Sequence, residues 1–251
     1  MKTKEILAII PARGYSKGLP NKNILFLGDK PLIAHTIGKA MSSNKISRVI
    51  VSTEDSKIAE IAKKFGAEIP FMRPLELAQD DSPIYDVVLD TLKKLKEKEN
   101  YEPDILVFLQ SVSPFVTTKQ IDSAIQKLIE TDADVVYSIC EFPYPLLWMQ
   151  TLDGDKPKMI FNNVKIKRRQ DAPKSYKPTG AFYIVKTKTF LNRKDNLPMF
   201  VPKIGEDTRT IVTDEITATD IDTKIDFLWT TFLLNSHFKI NGTNNGKNNF
   251  N

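Results

Sequence analysis

The segment from Ile6 to Asn23 constrains the fold of this chain more than any other, because an apolar strand runs directly into a loop rich in glycine and positive charge. Residues 6–10 are apolar without a break, as in a strand that is buried on both faces of a sheet. Pro11 then ends the ladder, because proline has no backbone N–H to donate. The sequence therefore predicts a central strand that delivers its following loop to a ligand.

That loop carries groups that suit an anion. Arg13 and Lys17 supply positive charge, and Ser16 adds a short hydroxyl donor. Gly14 and Gly18 let backbone N–H groups turn toward a ligand. Their spacing is neither GxxxxGK[ST] nor GxGxxG, so a P-loop ATPase and a dinucleotide-binding fold both lose their main support.

Apolar runs alternate with helical patterns along the first part of the chain. Helices are predicted at 31–43, 55–65, from 82 onward and at 117–130, and further strands at 48–53, 67–71, 104–110 and 134–139. This order predicts an α/β fold with a mostly parallel, doubly wound sheet and right-handed crossovers. Ligands of such sheets bind beyond the carboxyl ends of the strands, where Arg13, Arg73 and Gln110 are expected to converge.

Composition limits the class of protein. The 251 residues, 41% of them hydrophobic, can bury one substantial core, and no run is long enough to span a bilayer. The single cysteine excludes intrachain disulfides, and we expect a soluble cytoplasmic protein. The 36 basic residues are spread among 31 acidic ones, so a net charge of +5 favours small anionic substrates over nucleic acid or a membrane. We expect one domain over 1–237 and a disordered polar tail at 238–251.

The segment from about 142 to 177 breaks the alternation. It contains prolines near both ends, an Asp-Gly turn at 153–154 and short β-like pieces, which indicates an insertion. Its apolar residues, among them Trp148 and Ile160, need covering, and a subunit partner is the expected cover. The alternative is an arm that folds back on its own sheet.

Two acidic residues near the C-terminus, Asp220 and Asp222, flank an isoleucine. In an extended segment alternate residues point to one side, so both carboxylates would face one point. Such a pair suits Mg²⁺, which takes oxygen ligands and is usually shared with phosphates and water. Asp222 could equally be the N-cap of the helix that follows.

The string PARGYSKGLPNKN at 11–23 resembles the PARGGSKGxPxKN signature of the acylneuraminate cytidylyltransferases, which join CTP to an acidic nine-carbon sugar and release pyrophosphate. Further similar segments are FMRPLELAQDDSP at 71–83, LQSVSPF at 109–115, RRQDAP at 168–173, KPTGAFYI at 177–184 and DIDTKIDF at 220–227. The resemblance covers about residues 5 to 230. It implies a nucleotidyltransferase-type sheet and a homodimer whose arms, at about 142–177, reach the neighbour's active site.

The resemblance also implies roles for single residues. Arg13, Lys17 and Asp222 would be catalytic, with Mg²⁺ held by Asp220 and Asp222. The nucleotide would contact Ala12, Arg13, Gly14, Ser16, Lys17, Lys22, Asn23 and Arg73. The acidic sugar would contact Gln110, Ser113, Arg168, Arg169 and Thr179, with an arginine fork on its carboxylate.

The chain departs from the family pattern around the expected pocket. Tyr15 replaces a usual glycine, Ser111 and Val112 replace Pro-Thr, and Thr179 replaces asparagine. These changes leave the cations and aspartates in place, which suggests a retained reaction with a different acceptor, such as legionaminic or pseudaminic acid, or with GTP. An eight-carbon ulosonate enzyme, a non-catalytic nucleotide- or anion-binding protein and a nucleic-acid-binding module are the alternatives.

Overall fold

The computed structural model describes residues 4–161, 165–193, 201, 203 and 205–236. Its strands are β1 (Ile6–Pro11), β2 (Phe26–Leu27), β3 (Lys30–Pro31), β4 (Arg48–Ser52), β5 (Ile105–Leu109), β6 (Val135–Phe142), β7 (Gln150–Asp153), β8 (Lys156–Met159), β9 (Ser175–Lys186) and β10 (Thr208–Thr213). Its α-helices are α1 (Leu32–Met41), α2 (Ser56–Lys64), α3 (Ile84–Glu99), α4 (Thr118–Thr131), α5 (Thr187–Asn192) and α6 (Lys224–Asn235). The tail predicted for 238–251 lies outside the described residues.

Six strands form the central sheet in the order β10-β6-β9-β5-β1-β4. Five of them run parallel to one another, which confirms the predicted mostly parallel α/β sheet. The exception is β9, which is antiparallel to both β5 and β6. After its excursion from the end of β6, the chain re-enters the sheet beside that strand and runs back along it, so no crossover helix reverses its direction.

The strand predicted at 67–71 is wrong. Only Glu68 joins the sheet edge, through a single bridge to Ile50. Its N–H donates to the carbonyl of Val49, and its own carbonyl accepts from Val51. Pro70 follows two residues later and has no N–H to continue the ladder.

The core lies on both faces of the sheet, as the unbroken apolar run of β1 predicts. Ile6, Ala8 and Ile10 face one cluster, which includes apolar side chains of α1 and α4. Leu7 and Ile9 face the other cluster, which includes side chains of α3. All five are buried, and each large one contributes about 1.5–3 kcal/mol of transfer free energy. The strand is thereby fixed in the middle of the fold, and its following loop has a rigid base.

Side-chain caps define where three helices begin. Asp55 accepts hydrogen bonds from the N–H groups of residues 57 and 58 at the start of α2, and Thr117 forms a capping box with Gln120 at α4. At α6 the cap is Thr223, paired with Asp226. The alternative in which Asp222 caps that helix is therefore wrong, and its carboxylate is left for another role.

The predicted arm begins and ends inside the sheet. Phe142 still pairs with Ser175, so the excursion proper runs from 143 to 174. Within it β7 and β8 form a separate two-stranded hairpin whose turn contains Gly154, at φ 64°. Both strands are exposed along their whole length, and Leu152 is 70% exposed. The hairpin does not pair with the central sheet in the described part of the chain.

None of the helices described in the structure is long and apolar enough to cross a membrane.

Candidate active site

Three chain segments meet at the carboxyl edge of the parallel strands. They are the β1 loop (residues 12–23), the β5 loop (residues 110–114) and the aspartate segment (residues 219–222). Asn23 joins the first two, because its Nδ2 donates to the carbonyl of Arg13 at 2.9 Å and its Oδ1 accepts from Ser111 Oγ at 2.6 Å. The N–H of Ile221 donates to the carbonyl of Val112 at 3.1 Å, and this bond joins the aspartate segment to the β5 loop. The loops that follow β1 and β5 therefore lie together at this edge, and the aspartate segment joins them.

Asn23 supports the β1 loop from a buried position. It is only 3% exposed, and both ends of its amide are engaged by protein groups. Buried polar groups that are fully paired fix a conformation. The structure thus gives Asn23 a supporting position, and its predicted direct contact with nucleotide stays a prediction. Ser111, one of the departures from the family pattern, is the residue that donates to the amide oxygen of Asn23.

The two glycines of the β1 loop are required by close approach. Neither has a positive φ. A Cβ on Gly14 would lie 2.9 Å from Asp55 Cβ, and a Cβ on Gly18 would collide with the carbonyl oxygen of Asp222. Gly14 also donates its N–H to Glu54 Oε1 at 2.7 Å. At both positions the backbone therefore passes too close to a neighbour for a side chain, and the contact of these N–H groups with a ligand stays a prediction.

Arg13 and Lys17 lie together and share one counter-ion. Arg13 Nη1 is 2.9 Å from Asp80 Oδ1, and Lys17 Nζ is 2.5 Å from Asp80 Oδ2. Arg13 also donates to the carbonyl of Gln79 at 3.1 Å. The hydrogen bond with Asp80 raises the pKa of Lys17, and the same bond lowers the pKa of Asp80. The two predicted catalytic cations are thus adjacent.

Arg73 is placed differently. Its guanidinium pairs with Glu54 through Nη2 at 2.5 Å and Nε at 3.1 Å, and both side chains are largely buried. The other oxygen of Glu54 receives the N–H of Gly14. Arg73 therefore braces the β1 loop through Glu54, and its predicted contact with nucleotide stays a prediction. Nothing in the local sequence pattern distinguishes Glu54 from a surface acid, so the sequence did not indicate its role.

Ser16 and Ala12 are both buried in the β1 loop. The Oγ of Ser16 is among the few buried side-chain atoms in the described chain that have no hydrogen-bond partner. Buried hydroxyls normally form hydrogen bonds, so this hydroxyl is suited to donate a hydrogen bond to a ligand oxygen. The N–H of Ala12 donates to the carbonyl of Ser52 at 3.0 Å, which keeps that group within the sheet.

Helix α1 holds the β5 loop at both ends. Thr36 Oγ1 donates to the carbonyl of Gln110 at 3.3 Å, and Lys39 Nζ donates to the carbonyl of Pro114. Burial, with a smaller contribution from Lys30, lowers the pKa of Lys39 to about 8. These two residues were not predicted, although Thr36 is a polar position on the apolar face of α1. Their bonds fix the loop that presents Gln110 and the buried Ser113.

Asp220 and Asp222 lie close enough for their charges to repel each other, and their role in binding Mg²⁺ stays a prediction. Burial of its carboxyl group, and then repulsion from Asp222, raises the pKa of Asp220 to about 6, although part of the residue remains open to solvent. Lys22 Nζ is 2.8 Å from Asp222 Oδ1 and also donates to the carbonyl of Ile221. Two acidic groups that repel one another fit a divalent cation.

No group of three or more acidic, histidine or cysteine side chains in the described ranges could hold a metal ion. A bound metal would therefore take its remaining ligands from water and from substrate phosphates.

The other predicted substrate residues have no described contact with the β1 loop. Arg168 forms an ion pair with Asp171 at 2.8 Å, and Arg169 lies over the ring of Tyr144 at 5.4 Å. Both are exposed in the arm, and no described contact joins them to the β1 loop. Thr179 is buried, with its hydroxyl bonded to Ser138 of β6. That hydroxyl is committed to the sheet in this structure, and its contact with the sugar stays a prediction.

Comparison with known proteins assigns the family. A family model described as Cytidylyltransferase matches residues 7–226. This chain belongs to the cytidylyltransferase family. It is 33% identical over 234 residues to the CMP-N,N'-diacetyllegionaminic acid synthase of Legionella pneumophila, covering 91% of this chain and 96% of that protein.

It is also 35% identical over 187 residues to the pseudaminic acid cytidylyltransferase of Campylobacter jejuni, covering 74% and 80% of the two chains. Among solved structures, a CMP:2-keto-3-deoxy-manno-octonic acid synthetase complexed with CTP superimposes with a TM-score of 0.67. That match covers 92% of this chain and 98% of the other at 19% identity, so it supports the fold. The family assignment agrees with the predicted resemblance, and the enzyme is a cytidylyltransferase.

We predict that Gly18→Ala destabilises the protein by about 1–3 kcal/mol, because the new methyl group must displace the backbone at Asp222. Denaturant unfolding measures the change. Gly38→Ala is the matched control, since a Cβ at this position in α1 has no neighbour within 4 Å. It should leave stability unchanged or raise it by about 0.5–1 kcal/mol. Equal effects at the two glycines would contradict the close approach.

We also predict that Ser111→Ala and Asn23→Ala are coupled. Ser111→Ala should cost about 1–3 kcal/mol, because it leaves the buried amide oxygen of Asn23 unpaired. In a double-mutant cycle by denaturant unfolding, the coupling energy should be about 0.5–3 kcal/mol. A cycle of Ser111→Ala with Ser43→Ala, whose hydroxyl bonds to Asp122, should be additive. Additivity in both cycles would rule out the bond between the two loops.

Proposed function

We propose that this cytidylyltransferase joins CTP to an acidic nine-carbon sugar and releases CMP-sugar and pyrophosphate. The observation that carries the proposal is the direct attachment of the cationic β1 loop to the aspartate segment, through Gly18 against Asp222 and through Lys22 to Asp222. A nucleoside triphosphate and its metal need both sets of groups side by side. The names of the two relatives support an acidic nine-carbon acceptor.

In this proposal Arg13, Lys17 and the orphan hydroxyl of Ser16 bind the phosphates of CTP. Asp220 and Asp222 would hold Mg²⁺, which neutralises charge on the phosphates when bound. The 2-hydroxyl of the sugar then attacks the α-phosphorus in line, and pyrophosphate leaves. Such transfers depend on positioning and charge neutralisation, and a site rich in cations with no nucleophile motif is suited to them.

The acceptor would lie beside the β5 loop. Gln110 is presented there beside Gly180, whose φ is 74°, and its amide nitrogen is 3.4 Å from the position that a Cβ on Gly180 would take. Ser113 belongs to the same loop. Because Ser111 and Val112 differ from the family pattern here, we propose an acceptor of the legionaminic or pseudaminic type. Cytosine as the base follows from the family. GTP or an eight-carbon ulosonate remains the alternative within the same reaction.

A purely nucleotide- or anion-binding protein is the alternative of another class. It would explain the β1 loop, but it would have no use for two carboxylates placed against that loop. The raised pKa of Asp220 supports a catalytic role, because burial and then repulsion from Asp222 disfavour its charge, and a bound cation would relieve both.

We further propose that the active site is completed in a homodimer. The arm exposes apolar side chains, with Ile160 at 55% and Leu152 at 70%. It also carries Arg168 and Arg169, which no described contact brings to the β1 loop of their own chain. A second copy that covers the arm would bury these apolar groups and could receive a guanidinium at its sugar carboxylate. The reaction would take place in the cytoplasm, where CTP is available.

We predict that pyrophosphate release requires CTP, Mg²⁺ and an acidic nine-carbon sugar together. A matrix of CTP and GTP against sialic, legionaminic and pseudaminic acids, read by coupled pyrophosphate detection, should give turnover with CTP and one or more of these acids. Chelation with EDTA should abolish the signal, and excess Mg²⁺ should restore it. Absence of pyrophosphate release with every pair of nucleotide and sugar would contradict the catalytic proposal.

In the same assay Asp222→Asn should lower kcat/KM by at least about 100-fold, in keeping with loss of a group that acts in the transition state. Glu215→Gln, at an exposed acid seven residues earlier in the chain and with the same change in charge, should retain turnover. Thermal unfolding of both variants would show that the fold is kept. Equal activity of the two variants would contradict the metal-binding role of Asp222.

The arm gives a prediction of its own. Sedimentation at micromolar concentration should show a dimer, and Leu152→Asp with Ile160→Asp should shift it toward the monomer, because charges replace exposed apolar contacts. Mixing inactive Asp222→Asn with inactive Arg168→Ala/Arg169→Ala subunits should restore part of the activity if each site uses its neighbour's arm. A wild-type monomer that is fully active would contradict a shared site.

A further inference from the structure

The β1 loop already holds an anion of its own. The carboxylate of Asp80 lies between Arg13 and Lys17, at 2.9 and 2.5 Å from their nitrogen atoms. These are the two cations that the proposed function assigns to the triphosphate, and the inference rests on that function. Each oxygen of Asp80 takes one cation, in the way that two oxygens of a phosphate chain could. Triphosphate and Asp80 therefore compete for the same charges.

Asp80 is presented by a turn that holds itself together. Gln79 N–H donates to Ser82 Oγ at 3.1 Å, Ser82 Oγ donates to the carbonyl of Glu76 at 3.0 Å, and Gln79 Nε2 donates to the carbonyl of Leu75 at 2.7 Å. None of these bonds uses the carboxylate of Asp80. Neutralising that carboxylate should thus leave the turn in place.

The ion pairs of Asp80 are exchangeable. The side chain of Lys17 is 72% exposed, and those of Arg13 and Asp80 are about one-third exposed. Each exposed ion pair contributes little stabilising free energy, so a ligand with three to four negative charges can displace a single carboxylate. Once pyrophosphate is formed, the carboxylate of Asp80 is close enough to re-form its ion pairs with Arg13 and Lys17.

We propose that Asp80 is an intramolecular counter-ion that occupies Arg13 and Lys17 in the free enzyme and is displaced by the triphosphate of CTP. It lowers nucleotide affinity and assists the release of pyrophosphate. It also keeps the two cations at the position where the phosphates arrive.

Asp81 provides a matched control. It is the next residue in the chain, it is exposed, and it makes no hydrogen bond or ion pair among the described residues. Asp81→Asn changes the net charge by the same amount as Asp80→Asn. A comparison of the two variants therefore separates the local ion pairs from the general effect of a more positive surface.

The test is equilibrium titration of the full-length protein with CTP, CMP and pyrophosphate by calorimetry. Asp80→Asn should bind CTP and pyrophosphate about 3- to 10-fold more tightly than wild type, corresponding to the removal of one or two exposed ion pairs. The gain for CMP should be smaller, because it carries one phosphate. Asp81→Asn should stay within about 2-fold of wild type for all three ligands. Thermal unfolding of each variant checks that the fold is unchanged.

The outcomes are distinguishable. Tighter CTP binding in Asp80→Asn alone supports the counter-ion. Equal affinity in the two variants, or weaker binding in Asp80→Asn, overturns it and leaves Asp80 as a residue that only orders the cations. If wild-type protein and both variants fail to bind CTP, the proposed function itself fails. Pyrophosphate inhibition of turnover, which should strengthen in Asp80→Asn, gives a second readout of the same competition.

Discussion

The buried amide of Asn23 is the interaction on which the site depends. An asparagine amide offers a donor and an acceptor in one rigid plane, and here the donor holds the carbonyl of Arg13 while the acceptor takes the hydroxyl of Ser111. No aliphatic or purely acidic side chain could do both. The loop after β1 and the loop after β5 are 88 residues apart in sequence, and this one side chain fixes their distance before any ligand binds.

The same bonding continues to the aspartate segment and closes a ring of three loops. Val112 receives the N–H of Ile221, while Gly18 lies directly against the carbonyl oxygen of Asp222. Since the adjoining β1 and β5 strands are buried on both faces of the sheet, the first two loops start from rigid positions. A transfer reaction without a covalent nucleophile gains its rate from groups held in place beforehand. The ring supplies that preorganisation and explains why residues about 200 positions apart belong to one site.

The sequence was sufficient where a local pattern determines the structure. The run at 6–10 predicted a strand buried on both faces of the sheet, and the structure has it as β1. The metal-binding role of Asp220 and Asp222 stays a prediction. The sequence was insufficient where the contact partner of a residue or strand is set by tertiary packing. The ion pair of Arg73 with Glu54 and the antiparallel direction of β9 depend on segments whose relative placement no local period encodes. Gly14 and Gly18 were recognised, but the physical reason for them was a neighbour's backbone or side chain that the sequence does not display.

Burial then separates two kinds of cation around the β1 loop. Arg73 and Glu54 have side chains only 5% and 12% exposed, and removing either partner from such a pair typically costs about 3–5 kcal/mol. Arg13 and Lys17 hold Asp80 at the surface, where solvent screens the ion pairs and makes them weak. An incoming polyanion gains most by taking the exposed cations and leaving the buried pair intact. In the proposed mechanism Arg73 therefore supports the loop through every stage of turnover, while Arg13 and Lys17 are the charges that exchange Asp80 for phosphate.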